Sequence, residues 1–243
     1  MDRHMDFILS PITEILKDAV AASTGIGVGI EAFPLTEYVM QSTFLKMTGF
    51  HEQKMKCICW ELATDDYEYR YDLTRKAMGE FSSYNEKLKV YKDLLSQIKK
   101  YTSFTVATEI GRSELLRTSR EEIEVIFKGT VLLSWTQEAF EQYENLVSIY
   151  QDNHFATDDG TLLASTSSPI YSLQTVYQDH LYKHRNRCAH NLLSYQENLP
   201  SLKTLLDKNY HYNNYYLWFM LLNLMDKIYR KLYNKYQEAF EDR

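Results

Sequence analysis

Apolar residues recur at helical spacing along most of this chain. Phe7, Ile8, Ile12, Ile15, Leu16 and Ala19 share one side of a stretch that predicts a helix over Phe7–Ala22, with Pro11 in its first turn. Further helices are predicted over Leu35–Met47 and His51–Ala63. Tyr84–Tyr101 is the clearest amphipathic segment: Leu88, Tyr91, Leu94, Leu95 and Ile98 line one face and lysines the other. Ser119 followed three residues later by Glu122 has the form of a capping box, which predicts a long helix opening there and ending near Tyr150. Its core side includes Ile123, Ile126, Phe127, Leu133, Trp135, Phe140, Leu146 and Ile149. A stretch rich in Asp, Thr and Ser, Asp152–Ser168, predicts the longest loop. Two more helices follow, over Ile170–Leu193 and Tyr212–Phe240, with Pro200 between them.

No segment alternates as a strand would, and only 8 Gly and 4 Pro interrupt the 243 residues. The expectation is an all-α helical bundle. A soft change in composition between Tyr101 and Ser119 divides it into an N-terminal helical part, 1–110, and a C-terminal helical domain, 111–243. One continuous bundle is the alternative.

Composition narrows the setting. Hydrophobic residues make up 44% and charged residues 25%, ordinary proportions for a globular chain. No apolar run is long enough to cross a bilayer, and Asp2 and Asp6 accompany the first short one, unlike a secretory leader. Cys57, Cys59 and Cys188 do not form a disulfide framework. A cytoplasmic location without membrane contact follows as the expectation. The net charge of −6 argues against a general nucleic-acid binder. Any RNA contact must be local, and the basic cluster is Lys183, Arg185 and Arg187 with His180, His184 and His190 beside it.

Several clusters have competing readings. Gly25, Gly27 and Gly29 have neither a preceding strand nor a following lysine, so they make a poor phosphate loop. Asp65, Asp66, Glu68 and Asp72 read as solvated charge rather than a metal site. His180, His184 and Cys188 recur every four residues and suggest zinc, but no fourth ligand is evident. The aromatic set Tyr216, Trp218, Phe219, Tyr229, Tyr233 and Tyr236 suits core packing better than base stacking.

Arg185-Asn186 and His190 carry the chemistry. A permanent cation and a group that exchanges protons near neutrality suffice to break a phosphodiester without a metal. On a straight helix Arg185 and His190 point about 140° apart, whereas Asn186 and His190 share a face. A bend, or two copies facing each other, is needed to focus both on one phosphate.

This R-N-x-x-x-H pattern in a helical setting resembles the signature of the HEPN superfamily, all-helical domains that often act as RNA-cleaving toxins or defence effectors. The resemblance covers roughly residues 170–238. It implies a metal-independent endoribonuclease that needs no cofactor and works as a homodimer with a composite cleft. His190 would be general acid or base, Arg185 would hold phosphate, and Asn186 would orient the ring or the phosphate. Lys183, Arg187 and Asn191 would add RNA contacts, and the product would be a 2′,3′-cyclic phosphate. An antitoxin or other regulatory protein is an implied partner. The tyrosine that some members modify, two residues beyond the histidine, is Leu192 here, so that control does not carry over. Two alternatives stay open. One is a catalytically silent module that binds RNA, a nucleotide or a protein, and the other is a structural dimerisation domain in which Arg185 and His190 are tied up internally.

Overall fold

The computed structural model describes residues 3–27, 29, 32–75, 79–166, 172–190 and 213–241. Among these the chain is all-helical, apart from one isolated bridge between Phe155 and Leu163. No described helix is long and apolar enough to cross a membrane.

The N-terminal stretch is two helices rather than one, α1 (Arg3–Leu9) and α2 (Thr13–Ala22). Pro11 lacks an N–H and cannot continue a helix through its own position. The backbone groups freed at this corner find buried partners: Ser10 O accepts from Lys54, and Ile12 N donates to Asp226 Oδ2 at 3.2 Å. Conversely, the two helices expected next are one, α3 (Phe33–Asp65). Pro34 sits in its first turn, where a missing N–H costs nothing. Gly49 lies mid-helix, and a helix tolerates one glycine when buried Phe44, Met47, Met55 and Ile58 hold both halves. Asp66 ends α3 in an extended conformation and accepts from Tyr69 N at 2.9 Å, starting α4 (Tyr67–Thr74). It also pairs with Lys100, while Asp65 accepts from Tyr236, so part of the acidic run is structural.

Helix α5 (Tyr84–Tyr101) has the predicted limits, and Ser83 and Glu86 complete a capping box at its start. A short α6 (Val106–Glu109) then leads to α7 (Arg112–Phe127), α8 (Val131–Trp135) and α9 (Gln137–Val147). The long helix expected from Ser119 to Tyr150 is therefore three elements, and Ser119 is no cap. Its Oγ donates to Leu115 O at 2.7 Å inside α7, and Glu122 reaches instead to Lys227 and Asn223. The breaks fall after Phe127, where Gly129 (φ 75°) takes a backbone state that favours glycine, and at Thr136 between α8 and α9; Gly111 (φ 61°) opens α7.

After the loop, α10 (Leu173–Thr175) runs through a π-helical turn, Val176–Leu181, into α11 (Tyr182–His190). The last helix, α12 (Tyr215–Glu241), is the hub, packing on α3, α5, α7 and α9. It is apolar over most of its circumference in its first half, with Leu217 to Leu222 all buried, as a helix surrounded by others must be. Tyr216, Trp218, Phe219, Tyr229, Tyr233 and Tyr236 are each at most 1% exposed, so they build the core and are not offered to bases. Cys57 and Cys59 are buried too. Buried residues from Ile8 to Tyr236 belong to one cluster.

Candidate active site around Arg185

The π-helical turn ends at Leu181, one turn of helix before the R-N-x-x-x-H segment begins at Arg185. Such turns are uncommon and recur at functional sites. This one is anchored at its N-terminal side. Ser172 Oγ accepts from Thr175 N at 3.0 Å, and the buried Tyr177 donates to Ser82 O at 2.9 Å, just ahead of α5. Helix α11 leaves this anchor and lies along α3.

Position then sorts the side chains of α11. Lys183 and Arg187, four residues apart, are exposed; Lys183 pairs with Asp179 at 2.8 Å. Arg185 turns into the bundle. Its Nη2 lies 3.0 Å from Glu52 Oε1 and 3.1 Å from Glu52 Oε2, and its Nη1 donates to Asn186 Oδ1 at 3.2 Å. The Arg185 and Glu52 side chains are only 15% and 13% exposed. Thus Arg185 and Asn186, both singled out from the sequence, are in contact. His190 is the last residue of α11; its side chain, and all of Asn191, lie outside the described residues.

His184 sits among aromatic rings. Its ring packs 4.7 Å from Trp218, 5.5 Å from Tyr215 and 5.6 Å from Phe44. Nε2 lies 3.0 Å from Tyr215 Oη and 3.3 Å from Cys188 Sγ. Burial, reinforced by Arg187, pushes its pKa down to about 4, so it is neutral at pH 7 and unsuited to donate a proton. Burial likewise pushes the Cys188 thiol up. His184 and Cys188 touch as the zinc reading requires, but among the described residues no three His, Cys, Asp or Glu side chains come together to hold a metal.

Behind the Arg185–Glu52 pair lie groups that the sequence pattern did not flag. Lys87 is 1% exposed, donates to Phe81 O and sits 6.0 Å from the centre of the Tyr177 ring. Burial lowers its pKa to about 8; Glu52 and Glu86 oppose that shift and Arg185 adds to it. His51, next to Glu52, is fully buried, and neither ring nitrogen has a hydrogen-bond partner among the described residues. Burial, then Lys87 and Lys54, hold its pKa well below the ordinary value. Tyr229 closes the group, its ring 5.5 Å from His51 and its hydroxyl donating to Lys87 O at 2.6 Å. Helical patterning marks only which positions face inward. That a lysine, a glutamate and a histidine face inward together has no signature in a single sequence.

A separate surface groove of about 540 Å³ lies between α7 and Gln151–Asp152. Of its two arginines, Arg117 is engaged by Glu114 and Glu121 and Arg120 donates to Tyr150 O at 2.6 Å, and no residue of α11 lines it. No family model, curated protein or solved structure matches the chain.

Proposed function

We propose that this chain is a metal-independent endoribonuclease of HEPN type, acting as a homodimer and serving as a toxin or antiviral effector in the cytoplasm. The supporting observation is the Arg185–Asn186 contact, held on a short helix that ends at His190 and carries exposed Lys183 and Arg187. Arg185 grips the scissile phosphate, and Asn186 orients it or the histidine ring. His190 moves the protons: the ribose 2′-hydroxyl loses one, its oxygen bonds to phosphorus, and the departing 5′-oxygen gains one. Lys183, Arg187 and Asn191 steady the flanking strand. Few phosphates are neutralised by one copy, so two facing copies raise both affinity and the number of catalytic groups near one bond. An antitoxin or another regulatory protein is the natural restraint on such an activity.

One observation favours a second reading. Arg185 is already paired with a mostly buried carboxylate, as expected of a structural dimerisation domain in which it is tied up internally. Analysis of RNA ends separates the two. Incubated with a labelled structured RNA in EDTA, a ribonuclease of this kind leaves 2′,3′-cyclic phosphate and 5′-hydroxyl ends, and its His190→Ala variant leaves the RNA whole. Intact RNA in both samples would favour the structural domain.

A further inference from the structure

We infer that Glu52 is a built-in competitor for the phosphate site on Arg185, and that RNA binding requires its carboxylate to turn away toward Lys87. This rests on the reading of Arg185 as the phosphate-binding group.

Guanidinium grips phosphate best through a pair of parallel N–H bonds. It has two such edges, Nη1 with Nη2 and Nε with Nη2. Both use Nη2, the nitrogen that Glu52 holds with both carboxylate oxygens at 3.0 and 3.1 Å. Nη1 is further engaged by Asn186. Neither edge is free for a phosphate while Glu52 stays where it is.

Releasing a mostly buried carboxylate is normally prohibitive, because it strands a charge away from water. Here a second cation is at hand. Lys87 is fully buried, uses one donor on Phe81 O, and finds in Glu52 its strongest favourable charge. An ammonium carries three donors. Tyr229 links the two sides, its ring against His51, the neighbour of Glu52, and its hydroxyl on Lys87 O, so Glu52 has a second cation close by to exchange for Arg185. A phosphate that displaces it restores the charge balance of Arg185, and Lys87 takes over the balance of Glu52. The exchange resists RNA without abolishing binding, which suits an enzyme that must stay quiet at low RNA affinity.

The test is binding of a 2′-O-methyl oligoribonucleotide, which lacks the 2′-hydroxyl nucleophile, followed by fluorescence anisotropy. Glu52→Gln keeps the shape and removes the competing charge; it should tighten binding roughly tenfold, and the gain should vanish when Arg185→Ala is added. Lys87→Met removes the landing point and should weaken binding several-fold with Arg185 untouched. The two variants move in opposite directions, which a general loss of folding would not produce. Unchanged or weaker binding by a folded Glu52→Gln variant would overturn the inference and make Glu52 a positioning residue for Arg185. Cleavage of unmodified RNA by the wild type is scored separately. Tighter binding by Glu52→Gln without any cleavage would sink the ribonuclease reading and keep the competitor; cleavage without that tightening would do the reverse.

Discussion

Glu52 and Arg185 stand 133 positions apart in the chain and 3.0 Å apart in the fold, one on α3 and the other on α11. With both side chains largely shielded from water, removing either strips the other of the hydrogen-bonded partner it has here. Arg185→Met and Glu52→Gln should each cost about 2 kcal/mol in urea unfolding. The double variant should cost clearly less than the sum, a coupling of about 1–2 kcal/mol. Additive single effects would mean that the pair is not made in solution.

A second buried pair ties the N-terminus to the hub. Lys54 and Asp226 meet at 2.6 Å with at most 1% of either side chain exposed, and the same two groups serve Ser10 O and Ile12 N at the α1–α2 corner. Asp226→Asn should destabilise by about 3–5 kcal/mol, and Lys54→Met with Asp226→Leu should recover much of it. In hydrogen exchange, Asp226→Asn should expose amides of α1 and α2 before those of α12. Uniform loss of protection would contradict the anchoring role.

His184 sets a pH dependence. Its folded pKa is lowered, to about 4, so the unfolded chain takes up the proton first as pH falls. Its contribution to stability is whole above pH 6.5 and is lost toward pH 4, at up to about 1.4 kcal/mol per unit. His51, shifted the same way, steepens that fall. Between pH 6.5 and 5 the His184→Phe variant should show a visibly shallower decline than wild type in denaturant midpoint. Equal slopes would place His184 in contact with water.

Gly111 offers a backbone test. Its φ of 61° opens α7, and an added Cβ would meet nothing closer than Lys231 Nζ at 3.6 Å. Gly111→Ala should therefore cost about 1 kcal/mol through backbone strain alone. A neutral substitution would mean that α7 starts elsewhere.

Much of the bundle is legible in the sequence where one face is apolar and the ends are marked. Helix α5 shows both signals, and its limits follow directly. The pattern misleads where a local signal competes with packing. Gly49 suggests a break in α3 that contacts on both sides override, and Ser119 has the spacing of a cap but lies where α7 is already formed. Pro11 is compatible with a first turn, yet the buried Lys54–Asp226 pair makes a corner affordable there. At the candidate site, Arg185 and Asn186 stand out by residue type and spacing. Their partner Glu52, and Lys87 behind it, do not, because only the tertiary fold sets apart an inward charge from a solvated one.

The most direct measurement is the single-turnover rate of RNA cleavage in EDTA by wild type, Arg185→Ala and His190→Ala, with the folding of each confirmed by circular dichroism. Wild-type cleavage to cyclic phosphate ends, lowered at least a hundredfold in both variants, is the predicted result. Equal cleavage by all three would show that neither residue takes part, and would contradict the ribonuclease assignment to this site.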